Sequence, residues 1–453
     1  MEKRANFTSK IGIVLASAGS AVGLGNVWRF PTEVGMNGGA AFILMYIACV
    51  VLLGLPLMVS EFVIGRHTHQ NTADAYRQLA PRSWWVFQGY LGVFTSWFIL
   101  CYYSVVSGWT LKYLLAALAG DVTSTADSAS YFVNFTSSPW APLVFMAVVM
   151  LMCHWVITRG VQEGIEKYSK LMMPLLLLII AVLVVCSFSM PGSREGLRFL
   201  LKPDFSKLTS SVILSAMGQS FFSLSIAMGC LCTYASYFTD DARLMKTAGS
   251  VALIDTTVAV MSGFIIFPAV FSVAEVTPDA GPGLVFITLP TVFQIAFGGA
   301  PWLGWFFAVM FYLLLLLAAL TSMLSIHEPV TAFLLEHFRL SRRTATWMVT
   351  LSCLTVGVPC CLSFGPLKDV TPLWGMTFFD LFDFVSAKLF LPIGGIIISL
   401  FVGWKLPRTL VRDEVTNHGV LRGRLFPLYM FLIRWVAPLA IGLIFLNELG
   451  LFK

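Results

Sequence analysis

The sequence predicts an all-α polytopic membrane protein with eleven transmembrane helices, and three observations carry that prediction. First, 58% of its 453 residues are hydrophobic and only 11% are charged, whereas soluble domains carry about 25% charged residues. Second, eleven apolar stretches are long enough to cross the hydrocarbon core, which takes about 20 residues of helix; mean hydropathy is +0.83. Third, the charges sit in short clusters between those stretches. The net charge of +6 therefore forms no basic face or tail of the kind that recruits nucleic acid.

In chain order, residues 1–10 (MEKRANFTSK) read as a cytoplasmic start without a small-residue cleavage site. A first half, 11–190, holds spans at 11–34, 40–66, 87–118, 140–159 and 165–190. An external loop, 191–210, leads to a second half, 211–404, with spans at 211–238, 244–275, 302–337, 343–363 and 375–404. A cytoplasmic loop, 405–424, precedes the last span at 425–449 and an external C-terminus ending at 453. With residue 1 inside, 19 Lys and Arg residues are cytoplasmic, among them Arg66, Arg82, Lys167, Arg243, Arg342 and Arg343. Six are external (Arg194, Arg198, Lys202, Lys207, Lys368, Lys453) and four lie within spans (Arg29, Lys112, Lys388, Arg434). That bias orients the chain N-inside and C-outside. The nine cysteines lie nearly all in apolar stretches and lack zinc-ligand spacing, so they read as free thiols.

Two spans are interrupted. The first carries Gly19, Gly23 and Gly25 at its middle and Pro31 near its end; the sixth carries Ser223, Ser225 and Gly229. Such residues weaken a helix and expose backbone groups that lipid cannot satisfy, so they are tolerated only where protein or a cavity surrounds them. If spans 1–5 and 6–10 are two repeats, the breaks fall at corresponding positions, the sequence pointer to a mid-membrane binding site. Asp255 lies inside the seventh span, and a carboxylate at that depth is functional by default. The intramembrane acids Glu61, Asp255, Glu328, Asp380 and Asp383 form no paired catalytic motif, and no phosphate loop is present. No enzyme is therefore expected.

The strings SAGSAVGLGNVWRFP (17–31), GQSFFSLSIAMG (218–229), TYASY (233–237) and LAALTSMLSIHEP (317–329) resemble the signatures of the neurotransmitter:sodium symporter family. The likeness spans all eleven helices and is strongest for bacterial eleven-helix members. It implies a five-plus-five inverted repeat with helices 1 and 6 broken, and sodium-coupled import of a neutral, hydrophobic or aromatic L-amino acid by alternating access. A sensor that binds the amino acid without moving it is the alternative. The resemblance further implies residence in the cell's inner membrane among lipid, no nucleic-acid partner, and a monomer sufficient for transport, whether or not it oligomerises.

By the same resemblance the amino acid is held by Ala21, Gly23, Leu24, Gly25, Ile99, Tyr103, Phe222, Ser223, Ser225, Met228, Ser322, Ser325 and Ile326. Half-helix amides near Leu24 and Gly25 meet its carboxylate together with the Tyr103 hydroxyl, and carbonyls near Ala21, Phe222 and Ser225 meet its ammonium. Two sodium ions are implied. The first takes Ala21, Asn26, Ser223 and Asp255; the second takes Gly19, Val22, Ala318, Thr321 and Ser322. Asp255 replaces a neutral amide of some relatives, so chloride is not expected to be required. The outer gate is implied at Arg29 and Asp383, with Asp380 as rival. The inner gate is implied at Arg4, Glu336, Tyr237 and Phe7, with Phe7 replacing a common tryptophan and holding the plug less firmly. Gly164 and Pro174 match a spacing associated with unwinding of the fifth helix. Ala227 replaces a family glycine and is expected to place a methyl group near the pocket.

Overall fold

A computed structural model describes residues 6–125, 127–273, 283–297 and 299–450. Among them there is no strand, only an isolated bridge between Leu373 and Met376. The first helical pair is α1 (Lys10–Ala21) and α2 (Gly25–Met36), bent by 55° at the break between them. Then come α3 (Ala40–Thr68), α4 (Val86–Ala119), α5 (Ala141–Thr158) and α6 (Val161–Ser187). A second interrupted pair follows, α7 (Ser210–Ser223) and α8 (Cys230–Ala235). The remaining long helices are α9 (Leu244–Val270), α10 (Pro301–His337), α11 (Arg342–Leu362), α12 (Phe378–Lys405) and α13 (Phe426–Glu448), with shorter helices in the connections. Among the described residues nine of these are each long and apolar enough to cross a membrane, and ten if the bent pair counts as one span.

Local chemistry starts several helices: Ser9 caps α1, Thr209 caps α7, Ser341 caps α11 and Thr377 caps α12, each with its hydroxyl accepting an amide of the first turn. Leu171, Leu178 and Val185, spaced by seven along α6, are all more than 60% exposed. They form an outward apolar stripe suited to lipid. Trp140 and Trp302, beside the first residues of α5 and α10, are also exposed, as suits amphipathic rings at the ends of membrane spans. The interior is built around α10, which packs along α4 and also touches α1, α6 and α11.

The two breaks leave backbone groups without helical partners, and side chains supply them. Asn26 Oδ1 accepts from Gly23 N (2.9 Å) and the Tyr103 hydroxyl from Leu24 N (3.1 Å). Ser225 Oγ donates to Ser20 O (2.7 Å) and Ser322 Oγ to Val22 O (3.0 Å). At the second break, Glu61 accepts from Ala227 N (2.6 Å) and Cys232 N (3.3 Å), while Thr72 Oγ1 donates to Gly229 O (2.8 Å). Backbone accounting of this kind is what permits irregular chain at membrane depth.

A loop helix, Arg408–Val415, docks against the end of α3 through a buried ion pair. Arg66 Nε lies 2.7 Å from Glu414 Oε2, with the two side chains only 3% and 6% exposed, and His67 Nδ1 is 3.1 Å from Glu414 Oε1. Burial alone raises the Glu414 carboxyl, but the His67 hydrogen bond and the Arg66 charge outweigh it and hold the carboxyl below its ordinary value. A depressed carboxylate contributes stability above its unfolded pKa, about 4.3, and that contribution is lost as pH falls through the folded value. Glu414→Gln strands a buried guanidinium and is expected to cost about 3–5 kcal/mol. Thermal unfolding at pH 7 and pH 4 checks this: the wild type loses midpoint on acidification, whereas the variant starts lower and loses less.

Candidate substrate and ion site

Both breaks face one another at the centre of the bundle. Glycine is required at residue 23, where a Cβ would stand 2.5 Å from Ser322 Oγ and 3.0 Å from the Tyr103 hydroxyl. The ring of Phe222 lies against Gly25 at 3.1 Å from where a Cβ would sit. These close approaches leave a small space of about 40 Å³. Its walls include Ala21, Gly23, Gly25, Ile99, Tyr103 and Phe222. Ser223, Ser225, Met228, Ser322 and Ile326 also line it, joined by Ser20, Asn26 and Tyr102. The lining is apolar at Ile99, Phe222, Met228 and Ile326, hydroxyl-bearing at its serines and tyrosines, and contains no charged side chain.

Two expected lining residues stand apart. Ser325 turns away, donating to Thr321 O (3.0 Å) and accepting from the Tyr234 hydroxyl (2.9 Å). Leu24 lines the neighbouring outer cavity instead. Ala227 also differs from expectation. It adopts φ +67°, and a Cβ on Gly394 of α12 would stand 2.9 Å from its methyl group. The methyl therefore packs on α12 rather than narrowing the pocket.

Asp255, fully buried on α9, is gripped by three neutral donors. Asn26 Nδ2 reaches Oδ1 at 2.7 Å, Ser223 Oγ reaches Oδ2 at 2.8 Å, and the Tyr46 hydroxyl reaches Oδ2 at 3.3 Å. Asn26 Nδ2 also lies 3.2 Å from Ser223 Oγ, so Asn26, Ser223 and Asp255 come together as expected. Ala21 borders the same space. A carboxyl group at this depth with only neutral partners is suited to a hard cation, which takes carboxylate, hydroxyl and carbonyl oxygen. Tyr46 escaped the sequence reading because an aromatic residue in an apolar stretch gives no local signal.

The second group of expected cation ligands meets where α1 crosses α10. Ser322 Oγ bonds Val22 O, Thr321 Oγ1 donates to Ala318 O (3.0 Å), and a Cβ on Gly19 would stand 3.3 Å from Thr321 Cβ. All five candidates are therefore neighbours. Every one is an oxygen donor from a carbonyl or hydroxyl, and no cluster of three or more His, Cys, Asp or Glu occurs among the described residues.

Beyond Phe222 and Tyr103 opens a larger cavity of about 490 Å³, lined among others by Trp28, Arg29, Glu33, Tyr102, Asp380 and Asp383. Gly25, Tyr102, Tyr103 and Phe222 border both spaces and so separate them. The Arg29 guanidinium sits 4.3 Å over the Phe222 ring, and Asp383 Oδ1 accepts from the Tyr102 hydroxyl at 3.2 Å. The two expected gate residues thus share a cavity while each holds an aromatic ring of the lid below. Asp380 lines the same cavity and accepts from Thr377 Oγ1 (2.7 Å) at the exposed start of α12.

The opposite end is shut. Phe7 is 2% exposed, its amide donates to Tyr237 O (3.0 Å), and its ring meets Tyr234, Tyr237 and Phe238 at 6.0–6.3 Å. Three aromatic neighbours close around the Phe7 ring. The Tyr237 hydroxyl donates to Glu328 Oε1 (2.8 Å), and Arg342 binds the same carboxylate through both terminal nitrogens. Glu336 accepts from Asn71 N (2.8 Å) and Nδ2 (3.0 Å), anchoring the helix Thr72–Leu79. Arg4, its expected partner, lies outside the described residues.

The geometry has counterparts in known proteins. A sequence model of the sodium:neurotransmitter symporter family matches residues 4–138 and 132–453. The sodium-dependent transporter YhdH of Bacillus subtilis is 40% identical over 459 residues, covering 100% of this chain and 99% of its own. The sodium- and chloride-dependent GABA transporter 2 of Rattus norvegicus is 26% identical over 92% of this chain and 75% of its own. The crystal structure of MhsT in complex with L-phenylalanine superposes with a TM-score of 0.89 at 39% identity, covering 98% of this chain and 100% of that one. These relatives are transporters, not enzymes. The chain belongs to the sodium:neurotransmitter symporter family and is a multi-pass membrane protein that couples sodium to the movement of a small molecule.

Proposed function

We propose that this protein imports neutral, hydrophobic or aromatic L-amino acids together with two sodium ions by alternating access. The observation that carries the reading is the juxtaposition of Asp255, held by neutral donors only, with a charge-free apolar pocket between two helix breaks. A zwitterion brings one carboxylate and one ammonium; the broken helices offer amides to the first and carbonyls to the second. Its side chain then meets Ile99, Met228 and Ile326, with methionine able to repack around different shapes. The relative crystallised with L-phenylalanine supports this substrate class. A carboxylate shared between ion and substrate makes their binding mutually favourable, the thermodynamic basis of symport. Asp255 supplies the negative charge beside the first ion, so chloride is not required.

The remaining organisation belongs to the same proposal. It comprises eleven spans with an inverted repeat over 11–190 and 211–404, residence in the plasma membrane, an inside N-terminus and an outside C-terminus, and a monomer as the transporting unit. Arg29 and Asp383 close the outside, while Phe7, Tyr237 and Glu336 close the inside.

Uptake of labelled leucine, phenylalanine, tyrosine and tryptophan into proteoliposomes, with and without an inward sodium gradient, tests the reading. Saturable, sodium-dependent accumulation is expected. Tyr103→Phe is expected to raise KM about 10-fold or more, the cost of losing a hydrogen bond to a charged group at about 1.5–3 kcal/mol. Sodium-dependent binding with no accumulation would mark a sensor instead.

A further inference from the structure

The starts of α1 and α9 frame a cavity of about 190 Å³ that the transport site does not use. Lys10 and Val14 line it from α1. Arg243, just before α9, and Lys246, Thr247 and Ser250 within it line the other side. Spaced i, i+3, i+4 and i+7, these four form one stripe of a helix. Lys10 Nζ lies 2.7 Å from Asp241 Oδ2 and is thereby paired. Arg243 and Lys246 are exposed and make no hydrogen bond or ion pair among the described residues. Thr247 is only 7% exposed, yet its hydroxyl makes no hydrogen bond there, and neither does that of Ser250. Elsewhere buried helix hydroxyls return to their own backbone, as Ser262 Oγ does to Val258 O (2.9 Å) and Thr346 Oγ1 to Arg342 O (2.8 Å).

Two uncompensated cations beside two idle hydroxyls suit an anion rich in acceptor oxygens, the chemistry of a phosphate group. The position tells which kind. Both helices run from here into apolar spans, so the cavity lies at the edge of the hydrocarbon layer. Beyond Ser250 the same face of α9 continues with Leu253, which is 68% exposed, and Ile11 of α1 is exposed to the same degree. A soluble anion would meet the charges and leave those side chains bare. A phospholipid covers both, and basic pockets between membrane helices take anionic headgroups.

We propose that this cavity is a binding site for an anionic phospholipid. Arg243 and Lys246 meet the charge of its phosphate, Thr247 and Ser250 donate to the phosphate oxygens, and its acyl chains descend along Leu253 and Ile11. Neither the transported substrate nor the direction of transport enters.

Titration of the full chain in detergent with phosphatidylglycerol, read by native mass spectrometry, tests the site against zwitterionic phosphatidylcholine and inorganic phosphate. Wild type is expected to bind phosphatidylglycerol roughly 25-fold more tightly than phosphatidylcholine, about fivefold for each of two cations near a membrane surface. Arg243→Gln and Lys246→Gln are each expected to weaken phosphatidylglycerol about fivefold, and Lys246→Arg to keep the wild-type affinity. Both side chains are exposed, so the variants bear on the lipid and not on folding. Arg422→Gln, at an exposed cation of the 405–424 loop, is expected to change nothing. The proposal is overturned if phosphatidylcholine binds as tightly as phosphatidylglycerol, if the Arg243 and Lys246 variants bind like wild type, or if Arg422→Gln costs as much as they do. Full displacement of the lipid by millimolar inorganic phosphate would also overturn it, marking a site for the free anion.

Discussion

Replacing Asp255 with alanine is expected to abolish sodium-driven accumulation while leaving a folded protein. Asn26, Ser223 and Tyr46 all turn their donors toward this carboxylate, and no cationic side chain is among those partners. In the proposed first ion site the carboxylate is the sole side chain of opposite charge to sodium. Removing one member of a buried charge pair costs about 3–5 kcal/mol, or roughly two to four orders of magnitude in sodium affinity. Asp255→Asn separates charge from shape: its amide keeps a polar contact to Ser223 and Tyr46 but cannot balance a cation. That variant is expected to regain part of its uptake when chloride replaces gluconate, whereas the wild type is indifferent to the anion. Uptake measured against sodium concentration in both salts gives the result. An unchanged sodium half-saturation in either variant would remove Asp255 from the ion site.

The second large effect is expected at Glu61, for a structural reason. Its two carboxylate oxygens accept from Ala227 N and Cys232 N, amides that the break between α7 and α8 leaves without helical partners. Glu61→Ala strands both in a fully buried setting. At about 1–3 kcal/mol for each unsatisfied group, the loss is roughly 2–6 kcal/mol, a large share of ordinary stability. Glu61→Gln offers one acceptor oxygen for two amides and is expected to fall between. Thermal unfolding and the fraction of monodisperse protein rank the three. Equal midpoints would mean that the break is satisfied in another way.

Much of this architecture was legible because membrane solvation is a severe constraint. Each apolar stretch became a helix, or a pair of half-helices, with ends displaced by at most five residues. The glycines of the first break and the serines of the sixth span marked where backbone leaves the helix. Less legible was whatever depends on direction. Ser325 and Ser322 are three residues apart on one helix, yet only Ser322 reaches the pocket. Ala227 differs from glycine by one methyl group, and whether it narrows the cavity depends on Gly394, which is far away in sequence. Tyr46 and Glu61 carry contacts that no local pattern announces. The helix Leu284–Ala296 went unread because it is apolar but too short to count as a span.

The two ends of the transport path are fastened unequally, and this bears on time rather than affinity. On the Arg29 side, one cation over an aromatic ring and one tyrosine–carboxylate bond border an open cavity. On the Phe7 side, a buried ring in three aromatic contacts, a backbone bond and the Tyr237–Glu328–Arg342 cluster must all separate together. Under the alternating-access proposal, the step that parts the many contacts at the Phe7 end is expected to be the one that slows most on cooling.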